Sequence, residues 1–105
     1  MKFHRNEAKE WARENMRGIW AAALTPFAPG SLAIDEAAVR RNFRHWIEDL
    51  SIDGFFVAGK QGEFFSMSLA ERKRIFEITM EETQGKAGSI MSCSDQNMDT
   101  VIELA

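Results

Sequence analysis

The stretch from Gly54 to Ile75, GFFVAGKQGEFFSMSLAERKRI, most constrains what this chain can fold into. It begins with Phe55 to Ala58, which are apolar at every position, as is typical of a parallel strand buried on both faces. A polar loop flanked by glycines, Gly59-Lys60-Gln61-Gly62-Glu63, follows this run. Ser68 and Glu71 then have the spacing of a capping box, which predicts that a helix begins after Ser68. A buried strand, a short polar loop and a capped helix together predict a βα unit whose loop can contact a ligand.

The same alternation of strands and helices extends along the chain. An apolar run that ends at Thr25-Pro26 predicts a first strand near residues 19–24, since proline lacks the N–H that a central strand needs. A weaker third strand is predicted near 89–92. Asp35 and Asn97 are predicted to cap the helices that follow the first and third strands. This spacing predicts parallel βαβ units, and either a doubly wound sheet or the start of a barrel fits it.

Helices flank these strands. A first helix is predicted over Asn6 to Arg17, with Asn6 as its N-cap, so residues 1–17 form an extension before an α/β domain at 18–105. The helix after the second strand is predicted to run from Leu69 to about Gln84, with Ile75, Phe76 and Met80 facing inward. In the helix after the first strand, an apolar stripe at helical spacing predicts the buried face. Its residues are Val39, Phe43, Trp46, Ile47 and Leu50.

The glycine-flanked loop and its helix start resemble those of the dihydrodipicolinate synthase / N-acetylneuraminate lyase family. In that family the loop is usually G-[TS]-T-G-E, and a Leu-x-x-x-Glu-Arg helix start follows it. The loop matches at Gly59, Gly62 and Glu63 but departs at Lys60 and Gln61. Leu69, Glu71 and Arg72 match the helix start of the family at nearly the same spacing. Residues 18–27, GIWAAALTPF, are similar to the first strand of the family.

The resemblance implies an α/β fold, namely the N-terminal portion of a (β/α)8 TIM barrel with three βα units preceded by an extra N-terminal helix. A complete barrel needs roughly 250 residues, and this chain has 105. The last residues, 99–105, read as the first turns of a helix that has no stop signal. We therefore expect a partial, truncated barrel, and the alternative is a small complete α/β domain with a short last helix.

The resemblance also implies a Schiff-base lyase or aldolase that acts on pyruvate or another 2-oxo acid. The two loop hydroxyls of the family hold the substrate carboxylate, and the ammonium and amide that replace them here can still bind a carboxylate. Small residues of the first strand would line the barrel floor near the substrate. The implied substrate-binding residues are Lys60, Gln61, Ala22 and Thr25, and the implied loop-shaping residues are Gly59, Gly62 and Glu63.

No catalytic residue is expected within this chain. The family forms its Schiff base on a lysine of strand six and uses a tyrosine of strand five in the proton relay, whereas this sequence contains no tyrosine. Lys60 lies at the expected ligand face, but the family does not place its nucleophile there. Two functions stay open: part of a lyase whose catalytic tyrosine and lysine lie beyond this chain, or a non-catalytic half-barrel that works only by association with another chain.

The composition limits the kinds of partner that the chain is expected to bind and the cellular compartment in which it is expected to occur. The net charge of −3 and the lack of a basic patch argue against nucleic acid, and no apolar stretch approaches the ~20 residues of a membrane span. A single cysteine, Cys93, excludes an internal disulfide and indicates a reducing compartment, and the charged N-terminus has no secretory h-region, so we expect a cytoplasmic protein. His4 and His45 have no metal-ligand spacing, so no metal site is expected. No cofactor is expected either. The implied parent enzyme is a homo-oligomer.

Overall fold

A three-stranded parallel sheet organises the computed structural model, which describes residues 4–105. Its strands are β1 (Trp20–Ala22), β2 (Gly54–Val57) and β3 (Gly88–Met91), in the order β1-β2-β3. In the register of this sheet, Ala22 pairs with Phe56 and Phe56 pairs with Ile90. The sheet confirms the prediction of three parallel strands in sequence order.

Each strand is followed by a helix, and one helix precedes the sheet. The helices are α1 (Ala8–Asn15), α2 (Glu36–Arg44), α3 (Leu69–Thr83) and α4 (Met98–Leu104). Short 3-10 turns at Arg5–Glu7 and Phe64–Ser66 precede α1 and α3, and α2 continues as a π-helical turn at His45–Asp49. Among residues 4–105, no helix is both long and apolar enough to cross a membrane.

Side-chain caps begin three of these helices where the sequence predicts them. The Ala38 amide donates to the Asp35 carboxylate over 3.0 Å, and the Asp99 amide donates to the Asn97 side chain over 2.9 Å. At α3 the capping box is complete. The Glu71 amide donates to the Ser68 hydroxyl over 3.1 Å, and the Ser68 amide donates to the Glu71 carboxylate over 2.7 Å. Each cap satisfies backbone donors that a helix start otherwise leaves unpaired.

The predicted cap of the first helix is wrong. Asn6 lies inside the 3-10 turn that precedes α1, and the residue that caps this turn is His4. The His4 amide donates to the Glu7 carboxylate over 3.0 Å, so the turn is closed by a glutamate instead of an asparagine. Residues 1–3 of the predicted extension lie outside the described residues.

The core lies between one face of the sheet and the helices α2 and α3. The rings of Phe43 and Phe55 meet edge to face at 5.1 Å, which is a favoured aromatic geometry. The buried apolar residues of this core are Ala23, Val39, Phe43, Phe55, Val57, Ala58, Met67, Ile75 and Ile78. Trp46, Ile47 and Phe76 are partly buried against this core, as the apolar patterns predict.

Two residues predicted to face inward lie at the surface instead. Leu50 is 53% exposed because the π-helical turn at His45–Asp49 winds more widely than an α-helix and breaks the 3.6-residue stripe. Met80 is 54% exposed, because successive helical residues point about 100° apart and the buried face of α3 passes through its neighbour Thr79. The buried face of α3 therefore carries more polar residues than the apolar pattern predicts.

The second face of the sheet is exposed. Ala22, Phe56 and Ile90 share this face because they are register partners on adjacent parallel strands, and Phe56 and Ile90 are each 38% exposed. The prediction that the second strand is buried on both faces is therefore wrong for Phe56. No element of residues 4–105 covers this side of the strand.

Charged side chains join α2 to α3 beside the core. The Glu82 carboxylate of α3 accepts hydrogen bonds from Arg40 over 2.9 Å and from Arg44 over 2.9 and 3.0 Å. Glu82 is only 7% exposed, and the hydrogen bonds from Arg44, followed by those from Arg40, outweigh the cost of burial and hold the pKa of its carboxyl below the usual 4.5. A second bridge joins Arg74 of α3 to Glu36 of α2 through two contacts of 2.8 Å.

Replacement of Glu82 should destabilise the chain in a pH-dependent way. At pH 7 we expect Glu82→Gln to lower the free energy of unfolding by about 1.5–3 kcal/mol, the range for hydrogen bonds to charged groups. Because the folded pKa of Glu82 is lowered, this contribution is present above the unfolded pKa and is lost as pH falls through the folded pKa. Urea denaturation at pH 7 and pH 3 measures the difference, with the exposed Glu14→Gln as the control. Equal urea midpoints for the wild type and Glu82→Gln at pH 7 would contradict the expectation.

Candidate functional site

The polar loop after β2 forms a tight turn at the carboxyl end of the sheet. The Glu63 amide donates to the Lys60 carbonyl over 3.0 Å, and the Phe64 amide donates to the Gly59 carbonyl over 3.3 Å. Ala58 and Glu63 bound this turn with left-handed backbone conformations, φ +52° and φ +57°. A non-glycine residue in that region costs roughly 1–2 kcal/mol, and such strained residues cluster at binding sites.

Buried contacts from the segment that follows β1 hold this loop in place. The Thr25 hydroxyl, which is buried, donates to the Gly62 carbonyl over 2.7 Å. A Cβ atom at Gly62 would lie 3.0 Å from the Ala58 nitrogen and 3.1 Å from the Ala23 carbonyl oxygen. Since both neighbours are backbone atoms, they cannot move aside as a flexible side chain can. The loop therefore packs directly on the end of β1 at a position where only glycine fits without displacement.

Lys60 and Gln61 project from this fixed loop into solvent. Both residues are exposed, and within residues 4–105 the Lys60 ammonium has no ion-pair partner and the Gln61 side chain makes no hydrogen bond. Their two amide N–H groups likewise donate to no acceptor in that part of the chain. Successive free N–H groups beside a lysine are suited to binding an anion.

A cavity of about 350 Å³ opens beneath the loop, and we refer to it as the rim cavity. Two phenyl rings give it apolar walls, the loop supplies a cation and an amide, and the end of β3 supplies two hydroxyls. Its lining residues are Phe56, Gly59, Lys60, Gln61, Phe64, Ser92 and Ser94. The structure thus brings Gly59, Lys60 and Gln61 together around one space.

The other predicted site residues do not line the rim cavity. Ala22 lies on the exposed face of the sheet next to Phe56 and lines a separate cavity of about 250 Å³ with Leu24 and Trp46. Thr25 is buried, with its hydroxyl proton held by the Gly62 carbonyl. Gly62 is buried and Glu63 is exposed at the far end of the turn.

A larger cavity, about 730 Å³, lies at the opposite end of the sheet between α1 and the start of β3. Its walls include Ala8, Trp11, Ala12 and Trp20, so it is mostly apolar. The Asp53 carboxylate that lines it already accepts a hydrogen bond from the Ile19 amide over 2.7 Å. Enzymes of βα architecture place their chemistry at the carboxyl ends of the strands, so we assign the site to the smaller rim cavity.

Arg72 is a buried cation behind the rim cavity. The run Arg72-Lys73-Arg74 is typical of a solvated, salt-bridged helix face, and that interpretation is wrong for Arg72. Arg72 is 2% exposed and donates to the carbonyls of Ser92 and Ser94 over 3.0 and 2.9 Å, and to the Asp95 carboxylate over 3.1 Å. Its guanidinium carbon also lies 5.1 Å from the centre of the Phe64 ring. A buried charge needs such partners, because its desolvation otherwise costs several kcal/mol.

The sequence held signals for these missed residues. Arg72 precedes the buried Ile75 by three positions, so it falls on the buried face of α3. Ser92 and Ser94 follow a strand parallel to β2, so they end at the same edge of the sheet as the glycine-flanked loop. His45 and Cys93 do not line the rim cavity: His45 pairs with Asp49 over 2.6 Å, and Cys93 is partly buried. No cluster of three metal-ligand side chains occurs among residues 4–105.

Removal of the Thr25 hydroxyl should loosen the loop. We expect Thr25→Val, which keeps the shape of the side chain, to lower the free energy of unfolding by about 1–3 kcal/mol, because it leaves the buried Gly62 carbonyl unpaired. Thermal denaturation measures the loss, and amide hydrogen exchange at residues 59–63 should become faster. Thr100→Val on α4 is the matched control, and unchanged exchange in the loop of Thr25→Val would count against this role.

Comparison with known proteins finds a matching family model and relatives that are named as lyases. Residues 15–105 match the model of the Dihydrodipicolinate synthetase family. N-acetylneuraminate lyase from Clostridium perfringens (strain 13 / Type A) is 40% identical over 90 residues, which cover 86% of this chain and 31% of that protein. N-acetylneuraminate lyase from Shigella boydii serotype 4 is 47% identical over 72 residues, which cover 69% of this chain and 24% of that protein.

Solved structures of N-acetylneuraminate lyases share the fold of this chain. N-acetylneuraminate lyase from Mycoplasma synoviae superimposes with a TM-score of 0.81 at 24% identity, over 87% of this chain and 31% of that one. CdNal from Clostridium difficile, solved in complex with mannosamine, gives 0.80 at 36% identity, over 85% and 30%. The chain thus spans 31% or less of the length of these relatives. Its three βα units are the N-terminal portion of a (β/α)8 barrel, as the sequence predicts.

Proposed function

Because the chain belongs to the dihydrodipicolinate synthetase family, we propose that it contributes the carboxylate-binding wall of a Schiff-base lyase that acts on pyruvate or another 2-oxo acid. The observation that carries this proposal is the free ammonium of Lys60, which lies beside the exposed Gln61 at the mouth of the rim cavity. The names of the relatives, which are lyases, support the reaction class.

The chemistry of the rim cavity suits a small 2-oxo acid. A carboxylate is an acceptor only, and Lys60 and Gln61 offer donors with no partner among residues 4–105. The rings of Phe56 and Phe64 provide apolar surface for the carbon chain next to the carboxylate. Lysine supplies a full charge where the family uses neutral hydroxyls, so binding should depend more on Coulomb attraction than in those relatives.

The proposal assigns the covalent step to residues outside this chain. The resemblance implies a Schiff-base lysine on strand six and a tyrosine on strand five, whereas residues 4–105 form three strands and the sequence has no tyrosine. Among the lysines of residues 4–105, only Lys60 lines the rim cavity. Its place is the recognition loop, where it would bind the carboxylate and leave the ketone carbon to the rest of the site.

The alternative is a non-catalytic half-barrel that works only by association with another chain. Its support is the exposed sheet face, where Phe56 and Ile90 are each 38% exposed, together with the open outer edges of β1 and β3 in the described part of the chain. Open strand edges and apolar patches favour association between chains. Under this alternative the chain binds no 2-oxo acid, so a measurement of pyruvate binding separates the two functions.

A homo-oligomeric parent enzyme is proposed on the resemblance alone.

Loss of the charge at position 60 should weaken anion binding. We expect Lys60→Met, which keeps the length of the side chain, to raise the Kd for pyruvate about 10- to 150-fold, as for the loss of one charge-assisted hydrogen bond. Isothermal titration calorimetry or NMR titration measures the change. Lys9→Met, on the exposed surface of α1, is the matched control. Equal pyruvate affinity in Lys60→Met and the wild type would reduce the loop to a turn and remove the basis of the proposal.

The isolated chain should bind pyruvate without forming a covalent adduct. The residues that would form the Schiff base are assigned outside the chain, and burial, which activates nucleophilic lysines, is lacking at the exposed Lys60. Borohydride treatment in the presence of pyruvate, followed by mass spectrometry, should therefore show the unmodified mass. A reduced pyruvyl adduct mapped to Lys60 would overturn the assignment and make this residue the nucleophile.

A further inference from the structure

We infer that Ser92 is a second recognition residue of the rim cavity, and that its hydroxyl donates a hydrogen bond to the carboxylate of the bound 2-oxo acid. This inference rests on the proposed function and names the group that faces the Lys60 loop from the neighbouring strand. Ser92 lies directly after β3, is 5% exposed and lines the rim cavity together with Gly59, Lys60 and Gln61.

The position of Ser92 is fixed by the backbone. Its amide donates to the Val57 carbonyl over 3.0 Å, which extends the pairing of β2 and β3 by one residue. Its carbonyl accepts a hydrogen bond from the buried Arg72 guanidinium, which also holds the carbonyl of Ser94. The Ser92 backbone is thus held between a strand and a buried cation, and a short side chain on a fixed backbone loses little freedom when it binds a ligand.

The hydroxyl of Ser92 has a donor to offer. The Ser94 amide donates to the Ser92 oxygen over 3.3 Å, so this contact uses a lone pair and leaves the hydroxyl proton free. Within the part of the chain that the structure describes, this proton has no acceptor. Buried polar groups in proteins are nearly always paired, so a buried donor that lines a cavity indicates an acceptor in that cavity.

The chemistry of the partner follows from the donors that surround it. Lys60 and Gln61 of the loop line one wall of the rim cavity, and Ser92 lines the other. Because Ser92 follows Ile90 by two positions, it shares the sheet face of Ile90 and Phe56. A carboxylate has two oxygens and no proton, so it can accept from both walls at once. A neutral amide at the same place would bring donors of its own and would lose this match.

Ser92→Ala tests the inference, with pyruvate and pyruvamide as the two probes. We expect the variant to raise the Kd for pyruvate about tenfold or more, the effect of one hydrogen bond to a charged group. The Kd for pyruvamide should change by much less, so the preference for pyruvate over pyruvamide should fall. Ser66→Ala is the matched control, since Ser66 is exposed in the 3-10 turn and does not line the rim cavity. Urea midpoints of both variants establish that they fold.

The outcomes separate this inference from the proposed function. If Lys60→Met weakens pyruvate binding and Ser92→Ala leaves it within twofold of the wild type, the proposed function stands and the inference is wrong. If Ser92→Ala weakens both probes equally and lowers the urea midpoint, the role of Ser92 is structural and the inference is wrong as well. If the wild type binds no pyruvate, both the proposed function and the inference fail.

Discussion

Parallel pairing of β1, β2 and β3 is the constraint on which the rest of the structure depends. Parallel neighbours cannot be joined by a tight turn, so each strand must be followed by a crossover that returns the chain to the starting edge. The carboxyl ends of all three strands therefore meet at one edge. This is why Thr25, the loop at residues 59–63 and Ser92 are close together although up to 67 positions separate them in the sequence (92 − 25).

The helix α3 links this edge to the packing of the helices through two buried charges. Arg72, near its start, donates to the carbonyls of Ser92 and Ser94 and to Asp95, while its Nε has no partner among residues 4–105. Glu82, near its end, accepts from Arg40 and Arg44 of α2. Neither charge could be buried alone, because desolvation would cost more than burial gains. The same helix thus fixes the rim cavity at one end and the α2–α3 contact at the other.

The sequence predicts most of the fold because its signals there are local. The three parallel strands, the caps at Asp35, Ser68 and Asn97, and the inward positions Val39 and Phe43 follow from spacing and residue type alone. The errors lie where a longer-range contact decides the outcome. The exposure of Phe56 depends on what covers the far face of the sheet, and that of Leu50 depends on a change in helical winding.

The site residues also divide into those that local sequence patterns predict and those that longer-range contacts decide. The loop glycines and the exposed Lys60 and Gln61 are legible in the sequence because glycines and polar residues mark a turn after a strand. Arg72 and Ser92 are not, because a charge beside other charges reads as a solvated surface, and a serine at a strand end has no distinctive pattern. Only the pairing of β2 with β3 brings these residues behind and into the rim cavity.

The tight fit of Gly62 against the backbone of Ala58 and Ala23 has a consequence for how this site can diversify. Backbone atoms confine the frame of the loop at Gly62, while the side chains at positions 60 and 61 are exposed. Recognition and architecture are thereby encoded by different residues of the same five-residue segment. New substrate preferences can arise by exchange of those two side chains while the scaffold beneath them keeps its shape.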